Sequence, residues 1–142
     1  MTTEQLSPQP LSPADERTWA MLAHLSVLLN PISGLLGIIA ALVIYLVYKD
    51  RSRYVAFQSL QALIFQLTFW IGGGVLAGGA WAIGALLSVV LVGLLCFPAA
   101  LLLTLIPLGA VVYGIVGAIQ CSQGQDFRYW LIGDWVQNTL MS

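Results

Sequence analysis

The chain has 142 residues, of which 59% are hydrophobic and 8% charged, and its formal net charge is −1. Ordinary globular chains are about 45–50% apolar and about 25% charged, so this composition excludes a conventional water-soluble domain, and the lack of a basic excess excludes a nucleic-acid-binding surface. Residues 54–125, 72 in all, contain no Asp, Glu, Lys or Arg, far more than the ~18 apolar residues that mark one membrane span.

The first 15 residues read as a disordered polar tail, with Pro8, Pro10 and Pro13 among polar neighbours and no basic leader of a secretory signal. A transmembrane helical domain then occupies residues 16–130. Its first apolar block, Thr18 to Tyr48, is interrupted at Asn30-Pro31-Ile32-Ser33-Gly34. Proline removes a backbone donor and clashes with the preceding turn, so two helices are expected, about 18–30 and 35–49, forming a short hairpin broken at Asn30-Pro31. Asp15 or Thr18 is the expected N-cap. The rival reading is one kinked helix over 18–48, which places the N-terminus on the opposite side of the membrane.

Lys49, Arg51 and Arg53 follow within five residues. They are the topology-determining residues, and the positive-inside rule puts this loop in the cytoplasm. The next helix runs from about Tyr54 to Ala77. Gln58, Gln61, Phe65 and Thr68 fall at i, i+3, i+7 and i+10, one helical face, with Ser59 and Gln66 on its flank. Amides are costly in hydrocarbon, so Gln58, Gln61, Gln66 and Thr68 form a candidate polar intramembrane face directed at other helices or at a wet cavity. His24 and Asn30 are candidate interhelical polar residues.

Gly74 and Gly78 make a GxxxG pair, a motif that lets helix backbones approach closely. Trp81 suits an interfacial position. Residues 81–97 are apolar all round, and three readings stay open: a further span, a re-entrant segment or an outer-loop helix. Pro98 suits a helix start, residues 99–121 are long enough to cross, and Pro107 marks a kink. Ala110, Gly114, Gly117 and Cys121 form a small-residue stripe, so Gly114 and Gly117 join Gly74 and Gly78 as expected packing positions. Residues 126–130 read as interfacial, and 131–142 as a short interfacial C-terminal segment anchored by Trp135.

The chemistry-bearing residues are few. His24 is the single histidine, and no carboxylate lies within a proposed span to orient it, so no catalytic residue is assigned and an enzyme is not expected. One histidine and two separated cysteines, Cys96 and Cys121, make no metal motif, and no phosphate-binding loop is present, so no metal or cofactor is expected.

Several segments together carry a family resemblance. Glu16-Arg17-Thr18-Trp19-Ala20-Met21-Leu22-Ala23-His24-Leu25-Ser26, the run Ala41 to Asp50, Phe57-Gln58-Ser59-Leu60-Gln61-Ala62-Leu63-Ile64-Phe65-Gln66, and Gly117-Ala118-Ile119-Gln120 with Gly124 and Phe127-Arg128-Tyr129 resemble the domain of unknown function 4870 family of small membrane proteins. That family is similar in turn to the Tic-twenty type of chloroplast translocon subunit. Gln58 stands where the family motif has His, and Trp130 where it has Pro. The resemblance implies a helical bundle with both termini cytoplasmic and favours the hairpin over the kinked helix.

The sequence thus predicts an all-α, polytopic transmembrane bundle of about four membrane helices in the cytoplasmic membrane, with the N-terminus and the 49–53 loop cytoplasmic. Its expected role is that of a non-enzymatic subunit whose partners are the lipid bilayer and other membrane proteins or itself, with no nucleic acid. The alternative is a translocation or permeation component with Gln58, Gln61 and Thr68 lining a polar path.

Overall fold

The structure, a computed structural model, describes residues 9–141. Residues 1–8 of the expected N-terminal tail lie outside the described residues, as does Ser142. The described chain is mostly helical, without strands, and a non-helical segment, 123–132, joins its last two helices. Helix α1 (Pro13–Leu25) continues through a 3-10 turn (Ser26–Leu29) into the one-turn α2 (Asn30–Ser33), and α3 (Leu36–Tyr48) returns antiparallel. A single helical run, Arg53–Val90, then comprises α4 (Arg53–Gln66), a π-helical turn (Leu67–Gly72) and α5 (Gly73–Leu87). It is followed by α6 (Cys96–Ser122) and the terminal α7 (Gly133–Met141).

Local chemistry sets these boundaries, and several differ from the sequence expectation. Ser12, rather than Asp15 or Thr18, caps α1: its Oγ accepts from the Asp15 N–H at 3.2 Å, and Pro13 occupies the first turn, where a missing N–H costs nothing. Thr18 instead donates back to the Ala14 carbonyl within the helix. The hairpin does not break at Asn30-Pro31. Pro31 sits in the first turn of α2, and the chain reverses at Gly34, whose φ of +80° is natural only to glycine. Ser52 caps α4, accepting from the Val55 N–H at 3.1 Å while its hydroxyl donates to Glu16 at 2.5 Å, so one side chain starts a helix and ties it to α1.

The helix expected to end near Ala77 runs on to Val90. Residues 81–97 are therefore no separate span: they are the end of α5, a tight turn with Leu91 at φ +62°, and the start of α6. Pro98 is the third residue of α6, not its first. Arg53–Val90 (38 residues) and Val92–Ser122 (31 residues) are long and apolar enough to cross a membrane, and Leu36–Tyr48 is a shorter apolar helix.

The packing divides the molecule. Near the charged end, α1 packs on α4 and α6, and α3 on α4, giving a four-helix cross-section. Beyond it, among the described residues, α5 packs chiefly on α6, and the outward side chains of this hairpin, including Val75, Leu86, Leu95 and Leu102, are exposed and apolar. The small-residue stripe of α6 lies in the four-helix part. A Cβ on Gly114 would come within 2.6 Å of Val27 Cγ1 and 3.3 Å of the His24 carbonyl oxygen, and one on Gly117 within 2.9 Å of His24 Nδ1. The GxxxG pair plays no such part: a Cβ on Gly74 or Gly78 would meet nothing within 4 Å. Its neighbour Gly73 is the residue pressed on α6, against Ile106 and Pro107.

Gly114→Val is accordingly expected to destabilise the fold by about 1–3 kcal/mol through overpacking, whereas Gly74→Ala should be neutral or stabilising by up to ~1 kcal/mol. Thermal unfolding of the two variants in detergent checks the contrast.

Candidate functional site

The polar side chains of α1 and α4 meet a third element, the extended strip after α6. This strip alternates: Phe127 and Tyr129 point inward and are buried, while Arg128 and Trp130 point outward. Its inward face closes a hydrogen-bonded clasp. His24 Nδ1 lies 3.0 Å from the Tyr129 hydroxyl, and His24 Nε2 lies 3.0 Å from Gln58 Oε1. Gln58 Nε2 donates to Asp126 Oδ1 at 3.2 Å. Gln61 Nε2 donates to both Gln58 Oε1 and the Phe127 carbonyl, each at 2.6 Å, while Gln61 Oε1 accepts from the Tyr129 N–H at 3.2 Å.

Gln58 Oε1 can only accept, so His24 Nε2 carries a hydrogen, and in the neutral ring Nδ1 accepts from the Tyr129 hydroxyl. Burial raises the ionisation of the Tyr129 phenol above its ordinary range, which keeps it a donor. His24, Gln58 and Gln61 are each 0% exposed. Around them Phe65 stacks on Tyr129 with ring planes 7° apart, and Phe127 meets His24 edge to face. The clasp thus uses the imidazole as a two-ended connector between the strip and α4.

A second polar group lies deeper. Asn30 Nδ2 donates to Gln66 Oε1 at 2.8 Å, and Gln66 Nε2 donates to Ser26 Oγ at 3.0 Å. Asn30 Oδ1 is buried without a hydrogen-bond partner among the described residues. It faces Gly37 of α3, where a Cβ would overlap both it and the Ser26 carbonyl.

The structure therefore brings Gln58 and Gln61 together with His24, and Gln66 together with Asn30, in two separate groups. It does not bring Thr68 to either. Thr68 falls in the π-helical turn, which changes the angular step along the helix, and its residue is exposed. Lys49, Arg51 and Arg53 lie at the charged end, away from both groups: Arg51 donates to the Gln9 carbonyl and stands over the Tyr48 ring. Sequence reasoning missed Tyr129, Phe127 and Asp126 as clasp partners. The signal for them was the two-residue alternation of Phe127-Arg128-Tyr129-Trp130, which reads as one inward and one outward face.

Two cavities flank the clasp. One is apolar, about 390 Å³, and walled by Phe65, Phe69, Tyr113 and Tyr129; the other, about 500 Å³, lies at the charged end. None of the three glutamines lines either. Among the described residues, no three His, Cys, Asp or Glu side chains gather to hold a metal ion.

A family model described as the MamF/MmsF magnetosome magnetite crystal formation protein family matches residues 15–136. The chain belongs to this family. That membership corrects the kinship expected from the four quoted segments: the chain is assigned neither to the domain of unknown function 4870 family nor to a Tic-twenty type. Residues 15–136 of the magnetosome family match begin in the first turn of α1 and end in α7, so they include the whole clasp. No curated protein and no solved structure matches the chain.

Gln61→Leu removes the partners of the Phe127 carbonyl and the Tyr129 N–H together, and is expected to cost about 1–3 kcal/mol. Thr68→Val should stay within ~0.5 kcal/mol. Chemical or thermal unfolding in detergent, with Tyr129 environment followed by near-ultraviolet circular dichroism, distinguishes them.

Proposed function

We propose that this chain is a non-enzymatic helix-bundle component of the magnetosome membrane, contributing to magnetite crystal formation by packing with other membrane proteins or with itself. Family membership supplies the process. The observation that carries the mode of action is the placement of charge. Every Asp, Glu, Lys and Arg lies outside residues 54–125, and the described ones gather at one end: Glu16 on Ser52, Arg17 beside Gly124, and Arg128 between Asp126 and Asp134.

The positive-inside rule puts the 49–53 loop in the cytoplasm. The N-terminus and the 123–134 region then share that side, and the helical runs 13–33, 36–48, 53–90 and 92–122 are four membrane-embedded helices. The second of these is short: α3, with 13 residues, rises only about 20 Å, against a hydrocarbon core of ~30 Å. In this orientation the turns at Gly34 and at residues 88–95 face the lumen, where crystals grow, and neither carries a carboxylate, histidine or cysteine. Carboxylate and imidazole groups are the side chains that take iron. The chain accordingly acts on the mineral through partners rather than by touching it.

The test is topological. In a Cys96→Ser, Cys121→Ser background, Arg51→Cys in intact isolated magnetosomes should react with an impermeant maleimide, and Val90→Cys should react only after lysis. The reverse pattern would turn the carboxylates to the lumen and replace this reading with direct mineral contact. His24→Gln keeps a donor and an acceptor, so it should restore normal crystals, sized by electron microscopy, to a strain lacking the chain. Loss of crystals with a stable His24→Gln protein would point to proton chemistry instead.

A further inference from the structure

The charged end holds a cavity of about 500 Å³ that meets the clasp only at Asp126. Lys49, Arg53 and Arg128 line it together with Asp126, and Phe57 and Leu140 form its apolar wall. Three of the five basic residues of the chain thus open on one space. Arg128 is already held, 3.6 Å from both Asp126 and Asp134, with its guanidinium over the Phe57 ring. Lys49 and Arg53 have no carboxylate partner among the described residues. Like charges brought to one concavity repel unless an anion sits between them.

We propose that this cavity binds a phosphate group, and that its source is the headgroup of an anionic membrane lipid. Lys49 and Arg53 contact the phosphate, and Arg128, anchored by its two aspartates, forms the floor. The wall favours a lipid over a free ion. Phe57 and Leu140 place apolar surface directly beside the cations, the arrangement an acyl glycerol backbone takes and a soluble phosphate has no use for. The position agrees. The cavity lies where α3 and α4 emerge from the charge-free region, and α7 crosses it with Gln137 and Leu140.

Arg51 provides an internal control. It sits in the same loop with the same charge, but its side chain is engaged by the Gln9 carbonyl and the Tyr48 ring and does not line the cavity. A loop that matters only for topology would treat the three cations alike.

The experiment is native mass spectrometry of the full chain in detergent, titrated separately with phosphatidylglycerol, phosphatidylcholine and inorganic phosphate. Phosphatidylglycerol is expected to bind in preference to phosphatidylcholine. Lys49→Gln with Arg53→Gln should weaken it about 25-fold, at about fivefold per cation, whereas Arg51→Gln should leave it within twofold. Lys49→Arg with Arg53→Lys should restore binding, which separates charge from fold, and unchanged circular dichroism of each variant confirms folding. Equal loss in Arg51→Gln, or no preference over phosphatidylcholine, would overturn the site. Inorganic phosphate binding as tightly as phosphatidylglycerol would overturn the lipid as its source.

Discussion

Inside a bilayer no water stands ready to pair an amide, so every buried polar group must find its partner in protein. This chain places Gln58, Gln61 and Gln66 on one largely apolar helix, and the rest of the fold answers to them. Gln61 is the most demanding, because its amide reaches two acceptors and its carbonyl takes a backbone N–H. Those partners lie in the strip after α6, which must therefore fold back against α4. The reversal at residues 123–126, with Gly124 at φ +74° beside Arg17, serves that return. His24 completes it from α1, and α1 comes near enough only because Gly114 and Gly117 on α6 leave room for it.

Satisfaction of this kind specifies more than it stabilises. Interhelical hydrogen bonds in membranes contribute only about 0.6–2 kcal/mol each, yet a misregistered helix would leave several amides unpaired together. The apolar surfaces of α3 and of the distal hairpin carry no such information, since lipid solvates Leu and Val as well as a neighbouring helix does. Register is thus written where the polar atoms are. The same end of the molecule holds the charges, the caps at Ser12 and Ser52, and the basic cavity, while at the other end α5 packs chiefly on α6.

Much of this was legible in the sequence. The charge-free region, the boundaries of α3, the inward set Gln58, Gln61 and Phe65 and the stripe from Ala110 to Cys121 all follow from period and composition. Other features were hidden for definable reasons. Asn30-Pro31 looks like a break, but proline is harmless in a first turn, and the backbone sign that decides the reversal belongs to Gly34. Thr68 keeps the α-helical period only on paper, because no local signal announces a π-helical turn. Gly74 and Gly78 fit a packing motif, but a motif does not say which face a partner covers. The family was misread because apolar helices draw on few residue types, so short segments look alike across membrane families.

The π-helical turn at Leu67–Gly72 and Pro107 stand at one level, joined by Gly73 against Ile106 and Pro107. The first widens a backbone ladder and the second removes a rung from the facing one. A 38-residue run is about 57 Å long, nearly twice a ~30 Å hydrocarbon core, so the long hairpin must lean, bend or deform the bilayer to fit it. Bending is cheapest where both ladders are already interrupted. The distal hairpin is in this sense a thickness gauge with a built-in joint, its angle set by the membrane that surrounds it.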